Sequence, residues 1–259
     1  MTENIKVTGA VVTHNNVKYI ERTVRTVLDN TKQYPFVLYA VDNASDDGTL
    51  QLLLKLADEY PQLKVVENKE NIGFGAGHDS IINELDSDFH AVINPDIEIR
   101  DDVIARMVSY MSENKDIALL SPRICFPDGR DQILGKKDPK LKYLFASRLR
   151  NDEKPSKLLR EYAMLDEDMT KPFDIENATG CFMLFRTKKF RAAGGFDQRY
   201  FMYFEDCDIS RQMRTRGRVV YFPDAVIYHV WARDSKRNTK LKLIHIQSMI
   251  RYDLKWRNL

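Results

Sequence analysis

Long hydrophobic runs are missing from this 259-residue chain: no apolar stretch approaches the roughly 20 residues that cross a bilayer. Met1 to Ile5 lacks the apolar core of an export signal. These absences predict a cytoplasmic protein, with any membrane contact peripheral and at the inner face of the cell membrane. Cysteine is scarce as well. Cys125, Cys181 and Cys207 lie far apart and form no Cys-x-x-Cys pair, which excludes a disulfide framework and a cysteine zinc site and predicts a reducing compartment. Neither sign of charge prevails: 40 basic against 38 acidic residues leave a net charge of +2, so nothing draws the whole chain towards nucleic acid. What remains, 43% hydrophobic and 30% charged, is an ordinary globular composition, long enough for one large α/β domain or two small ones.

The first half alternates strand and helix signals. Ile5 to Thr13 reads as a strand ending in Thr13-His14-Asn15-Asn16, and Val17 to Asn30 as a helix with Ile20, Val24, Val27 and Leu28 on one face. Phe36 to Val41 is a second strand, running into Asp42-Asn43-Ala44-Ser45-Asp46-Asp47-Gly48, with Ser45 or Asp46 able to cap a helix over Leu50 to Tyr60. Leu63 to Glu67 is a third, followed by Asn71-Ile72-Gly73-Phe74-Gly75-Ala76-Gly77 and a helix reaching about Leu85. Such alternation predicts a mostly parallel sheet flanked by helices, with polar loops gathered along one rim. The glycines do not make a dinucleotide fingerprint: His78 stands where its third glycine belongs, and they follow the third strand rather than the first.

Ala91-Val92-Ile93-Asn94-Pro95-Asp96 reads as a buried strand that stops abruptly. Pro95 cannot donate to a ladder and keeps Asn94 out of the helical region. Asp96 then falls just beyond the carboxyl end of its strand, where open α/β sheets bind ligands. A helix over Asp101 to Asn114, capped near Asp101, and a strand over Ile117 to Leu120, ended by Ser121-Pro122, follow. From Asp128 to Lys171 charged residues dominate, read as a mobile surface excursion or an acceptor-side flap.

Ile175 to Arg186 returns to a strand pattern in which something packs close to Gly180. Thr187 to Ala193 is a short helix, and Tyr203-Phe204-Glu205-Asp206-Cys207-Asp208 sets aromatics before three carboxylates at a helix start. Val219 to Phe222 and Ala225 to Val230 read as two strands joined by Pro223-Asp224 and leading to His229. Lys236 to Arg257 mixes apolar and basic residues. It is read as a helix packed on the domain with a solvated basic side, or as one that docks on an anionic leaflet.

Taken together, Val-Val-Thr-His-Asn (11–15), Val-Asp-Asn-Ala-Ser-Asp-Asp-Gly (41–48), Asn-x-Gly-Phe-Gly (71–75), Asn-Pro-Asp (94–96), Gly-Gly-Phe-Asp (194–197), Phe-x-Tyr-Phe-Glu-Asp-x-Asp (201–208) and the 229–235 segment resemble the family 2 glycosyltransferases of GT-A fold, rhamnosyltransferase-like branch. The resemblance implies one GT-A domain over 1–235, with a donor-binding half to about 120 and an acceptor half after it, then a basic amphipathic helix over 236–259. It implies that Thr13, Asn15, Asp42 and Asn43 hold the nucleoside of a sugar-nucleotide donor, and that Asn71, Gly73, Phe74 and Gly75 lie against ribose and diphosphate. Asn94 and Asp96 would stand where the family's Asp-x-Asp binds a divalent metal, Mg²⁺ or Mn²⁺. Only Asp96 is acidic here, and His229 matches a position that completes the metal or diphosphate contacts.

The chemistry has its own logic. A nucleoside diphosphate leaves as a multiply charged anion, whose charge a hard cation offsets with few protein carboxylates. The acceptor hydroxyl needs a base, assigned to Asp206 with Glu205 as the second choice, and direct displacement inverts the anomeric carbon. Gly180, Cys181, Tyr203 and Phe204 are placed on the acceptor side, the two aromatics suited to stacking on a sugar or to core packing. By branch resemblance the donor is dTDP-rhamnose, with a UDP-sugar as the other candidate, and the acceptor a glycan or lipid-linked glycan of bacterial polysaccharide or cell wall. The rivals are a sugar-nucleotide nucleotidyltransferase, which His14-Asn15-Asn16 disfavours for want of a glycine-rich loop containing arginine, and a non-catalytic nucleotide-sugar-binding module.

Overall fold

The computed structural model describes residues 5–149, 151–230 and 239–257. In chain order the elements are β1 (Val7–Thr13), α1 (Ile20–Asn30), β2 (Phe36–Asn43), α2 (Thr49–Glu59), β3 (Leu63–Asn68), α3 (Phe74–Asp79), a 3₁₀ turn (Ile82–Glu84), β4 (Phe89–Ile93), β5 (Ile97–Glu98) and α4 (Val103–Glu113). There follow β6 (Ile117–Cys125), α5 (Leu141–Arg148), α6 (Lys157–Ala163), β7 (Phe173–Asp174), β8 (Phe182–Arg186), α7 (Thr187–Ala193), α8 (Glu205–Arg214), β9 (Arg218–His229) and α9 (Thr239–Trp256).

One sheet runs β3-β2-β1-β4-β8-β6-β9-β5, with β7 beside β9. The β3-β2-β1-β4 half is wholly parallel, so its loops open on one rim. Beyond β4 the sheet is mixed: β8 runs antiparallel to β4 and β6, β9 is parallel to β6, and β5 and β7 are antiparallel to β9. β1 and β4 are buried along their whole length, as strands covered on both faces should be. Ile20, Val24, Val27 and Leu28 put the apolar stripe of α1 on the core, and Met107, Val108 and Met111 do the same for α4.

Several boundaries differ from the sequence reading, each for a local reason. Helix α2 is entered through Gly48 at φ 95°, and Asp47, not Ser45 or Asp46, accepts the Thr49 N–H; Ser45 and Asp46 instead bond to Asn15. Helix α4 is capped by Asp102, whose carboxylate accepts the Ala105 N–H, rather than by Asp101. Strand β6 passes through Ser121-Pro122 because Pro122 falls at a register shift, and β9 is one strand because Pro223-Asp224 bulges at that same shift.

The 128–171 region is no loose excursion. It carries α5 and α6, joined by the stacked rings of Tyr143 and Tyr162 at 5.1 Å, and the Tyr162 carbonyl accepts the N–H groups of Lys136 and Lys137. Its helices share a cleft with α8.

Helix α9 reverses the expected facing. Lys255 and Trp256 turn inwards onto Asp208, which is fully buried: Lys255 Nζ lies 2.7 Å from its carboxylate, Trp256 Nε1 donates to it at 2.7 Å and Gln212 Nε2 at 2.8 Å. Ser248 donates to the Met202 carbonyl and Arg251 to that of Arg199. The apolar Leu243, Ile246, Ile250 and Leu254 face out instead. The expected domain boundary at 235 and the helix start at Lys236, like Ser235 of the 229–235 segment, lie outside the described residues.

Because Asp208 is the buried counter-charge that fastens α9 to α8, Asp208→Ala leaves Lys255 with Asp197 alone and is expected to cost about 3 kcal/mol of stability. Urea denaturation reads the loss, and limited proteolysis should cut α9 first. Unchanged stability and unchanged protection of α9 would show that the helix is held by its apolar contacts.

Candidate active site

The parallel half of the sheet ends in two adjacent strand tips. Thr13 and Asp42 are paired across β1 and β2, and each keeps a buried oxygen, Thr13 Oγ1 and Asp42 Oδ1, without a hydrogen-bond partner. Asp42 Oδ2 accepts the Ser45 N–H at 2.9 Å, which fixes the carboxylate. A buried polar atom left unpaired costs about 1–3 kcal/mol, so two at one strand end mark a place where a ligand's donors complete the set. Asn15, left-handed at φ 57°, is exposed beside them, with Oδ1 taking the Asp46 N–H. Asn43 differs from the expectation of nucleoside contact. Its amide donates to the Gly73 carbonyl at 2.9 Å and accepts from Asn68 at 2.8 Å, so it braces the loop above β3.

That loop is shaped by packing. Gly73 sits at φ 92°, where an added Cβ would lie 2.3 Å from the Phe201 carbonyl oxygen, and Phe74 N–H donates to that same oxygen at 3.0 Å. A Cβ on Gly75 would meet Phe196 at 2.8 Å, and the Phe74 ring packs edge-on against Phe196 and His78. Close packing accounts for Gly75 and for the orientation of the Phe74 ring. Asn71 caps the loop through Oδ1, accepting the Gly73 N–H at 3.1 Å.

At the tip of β4, Asn94 N–H donates to the Cys181 carbonyl at 2.9 Å, and Gly180 N–H, one residue away, donates to Asp206 Oδ2 at 3.0 Å. Two hydrogen bonds, one between backbone groups and one from backbone to carboxylate, thus link the Asn-Pro-Asp turn to the acid at the start of α8. The close approach expected at Gly180 is this one: an added Cβ would lie 3.1 Å from the Asp206 Cβ. Cys181 itself is buried in the main core, so its side chain is not on an acceptor surface.

Asp96 lies 3.3 Å from His229 Nε2 across the β5–β9 pairing, and Gln132 binds the other side of that histidine: Oε1 is 3.2 Å from Nδ1, and Nε2 donates to the His229 carbonyl. Burial opposes a charge on His229, but the Cys181 sulfur and the Asp96 carboxylate outweigh it and raise its pKa to about 10. Asp96 opens on a 240 Å³ cavity with Lys18, Tyr19 and Arg22, residues the motif reading did not single out; their signal was only their position after the Thr13 strand tip. As a metal site the pair is half built. Among the described residues no cluster of three or more His, Cys, Asp or Glu side chains could hold an ion. One carboxylate and one imidazole fit a divalent cation whose other positions are filled by phosphate oxygens and water, provided the cation displaces the Nε2 proton that faces Asp96.

The acids of α8 line a second cleft of 280 Å³, with Tyr203, Phe204, Leu144, Tyr162, Asn177, Thr179 and His245. Tyr203 and Phe204 take left-handed backbones at φ 70° and 68°, which swing the chain from the Phe201 contact into the helix. Asp206 is half-buried, and its anion is supported by the N–H groups of Gly180 and of Cys207 at 2.8 Å. Burial still raises its pKa above the ordinary carboxylate value. Glu205 is more deeply buried, its Oε2 has no partner, and burial with the neighbouring Asp206 charge raises its pKa far more. Burial opposes two charges side by side, and the two N–H groups favour the anion on Asp206 over one on Glu205. His245 of α9, absent from every motif, contacts the rings of Tyr203 and Phe204 at 5.1 and 5.3 Å.

Against known proteins, residues 10–194 match the model of the Glycosyl transferase family 2. The N-acetylglucosaminyl-diphospho-decaprenol L-rhamnosyltransferase of Mycobacterium tuberculosis (strain H37Rv) is 26% identical over 258 residues, covering 88% of this chain and 76% of that protein. Rhamnosyltransferase WbbL of Escherichia coli K12 is 25% identical over 256 residues, covering 93% and 90%. Among solved structures, GalNAc-T7 with UDP, GalNAc and Mn²⁺ superposes with a TM-score of 0.67 at 16% identity, covering 88% of this chain and 44% of that one. The span of the family match and the superposition agree: the chain belongs to glycosyltransferase family 2 and has the GT-A fold.

Proposed function

We propose that the protein is an inverting glycosyltransferase that moves a sugar from a nucleoside diphosphate donor onto a glycan or lipid-linked glycan acceptor. The observation that carries this reading is the Glu205–Asp206 pair, set in a cleft and tied through Gly180 and Cys181 to the Asn94 strand tip. In this reading Thr13, Asp42 and Asn15 take the nucleoside, Asn71 and the Gly73 backbone lie beside the diphosphate, and Asn43 braces the loop. Resemblance to two rhamnosyltransferases favours dTDP-rhamnose over a UDP-sugar as donor and polysaccharide or cell-wall assembly in a bacterium as the setting.

Asp206 accepts the proton of the acceptor hydroxyl as that oxygen attacks the anomeric carbon. The Gly180 and Cys207 N–H groups keep the carboxylate oriented, while Glu205 holds its own proton and leaves the charge on its neighbour. Tyr203, Phe204 and His245 wall the cleft and suit the face of a sugar ring. A divalent cation, when bound, would be held by Asp96 and His229 and would offset charge on the departing diphosphate.

Asp206→Asn should lower kcat by about 10³-fold while donor-induced thermal stabilisation is unchanged, and Glu205→Gln should stay within about tenfold of the parent rate. The reverse pattern would move the base to Glu205. A base must be ionised, and burial raises the Asp206 pKa, so kcat/KM should fall on acidification with an apparent pKa above the usual value of about 3.9. A rate that stays flat down to that value would remove Asp206 from the role.

A thermal-shift screen of dTDP-rhamnose and UDP-sugars with Mn²⁺ or Mg²⁺ tests the donor side. Stabilisation should require nucleotide and cation together, and EDTA should abolish it, because Asp96 and His229 complete only part of a coordination shell. Asp96→Ala should behave like EDTA. Full stabilisation by the nucleotide sugar in EDTA would contradict the assignment of Asp96 and His229.

A further inference from the structure

Two helices that line the Asp206 cleft carry apolar faces turned away from it. On α5, Leu144 and Ser147 border the cleft while Leu141, Phe145 and Leu149, spaced four apart on one face, are 66–70% exposed. On α9, His245 borders the cleft and Ser248 and Tyr252 are buried, while Leu243, Ile246, Ile250 and Leu254 form an opposite stripe, 39–64% exposed. Isolated surface leucines need no explanation, but two helical stripes beside one cleft do.

Basic residues are concentrated in the segments that carry these helices. Residues 136–160 hold nine basic and three acidic side chains, with Lys136 among the nine buried, and 239–257 hold five and one, with Lys255 among the five turned onto Asp208, in a chain whose total is only +2. The rest of the molecule is therefore net acidic. Lys140, Lys142, Arg148, Lys154, Lys157 and Lys240 are exposed on or beside the two helices.

We propose that the exposed faces of α5 and α9 form a docking surface for an anionic lipid leaflet, which brings that leaflet against the two helices whose other sides line the Asp206 cleft. A basic rim around an apolar stripe suits a leaflet that offers acyl chains beneath negative headgroups. A second copy of the chain fits less well, since self-pairing of these faces brings like charge to like charge. No helix among the described residues is long and apolar enough to cross a membrane, so the contact is one of lying on the surface. Its use, presenting a lipid-linked acceptor to Asp206, rests on the function proposed above; the surface itself does not.

The test is flotation of the full chain with phosphatidylcholine vesicles and with vesicles of phosphatidylcholine and phosphatidylglycerol, without donor or acceptor. The full chain should float with the anionic vesicles, and do so about tenfold less with neutral ones or at high salt. Leu141→Ser with Phe145→Ser, and separately Leu243→Ser with Ile250→Ser, should each lower binding about tenfold. Unchanged melting temperatures would show that these exposed substitutions leave the fold intact. Absence of flotation with anionic vesicles, or equal flotation of parent and variants, overturns the proposal. So does sedimentation showing a dimer that the serine variants dissociate while vesicle binding is absent. No turnover enters the assay, so a chain that fails here but is stabilised by a nucleotide sugar leaves the enzymatic reading standing.

Discussion

The carbonyl of Phe201 holds the two halves of the molecule in register. It receives the Phe74 N–H from the loop above β3, and it lies so close to Gly73 that no side chain fits between. Before this contact lies the wholly parallel half of the sheet, whose strand tips carry Thr13, Asp42 and Asn94. After it come Tyr203 and Phe204 and the acids of α8. A second tie, from Asn94 through Cys181 and Gly180 to Asp206, closes the loop on the other side. The first tie is between backbone groups and needs glycine at position 73, while the second ends on the Asp206 carboxylate and brings Gly180 close against it.

The parallel half was legible because its signals are local. Buried β-branched runs, a 3.6-residue stripe on α1 and turn residues at each tip determine β1 to β4 with errors of a residue or two. Legibility fell where one residue's meaning depends on a distant partner. Pro122 and Pro223 read as strand ends, yet each lies at a shared bulge that only the pairing of β6 with β9 reveals. The 128–171 stretch reads as loose because its charges hide Tyr143 and Tyr162, whose stacking holds α5 and α6 together. Of the site, the acids, the Asn-Pro-Asp turn and His229 were visible as motifs. Gln132, His245, Lys18 and Arg22 were not, since each stands in no pattern and enters only through the fold.

Helix α9 shows how a correct element can be read with the wrong face inward. Its apolar residues outnumber what one packing face can use, and composition alone cannot say which stripe is buried. Asp208 decides. A fully buried carboxylate demands counter-charge and hydrogen bonds, and Lys255, Trp256 and Gln212 supply them, so the helix rotates to bring those residues in. The hydrophobic effect would favour Ile246 and Ile250 inside by about 1 kcal/mol each, since both are already half covered. Leaving Asp208 uncompensated would cost several kcal/mol and strand a polar group besides. Electrostatics therefore chooses the face, and exposed apolar surface is the consequence.

The start of α8 combines strain with charge in one place. Tyr203 and Phe204 both hold positive φ, a conformation that costs non-glycine residues about 1–2 kcal/mol apiece. Nothing about aromatic side chains favours it, so neighbouring contacts must impose it: Phe201 against the Gly73 loop on one side, the α8 turn on the other. The result is a sharp corner that presents the amino-terminal end of α8 to the cleft, and with it Glu205 and Asp206. A helix amino terminus favours one negative charge, and two backbone N–H groups favour it on Asp206. Burial resists a second, and it raises the Glu205 pKa well above the ordinary carboxylate value. The strained corner and the opposed charges are thus two parts of one arrangement, which turns an oriented Asp206 carboxylate towards the cleft.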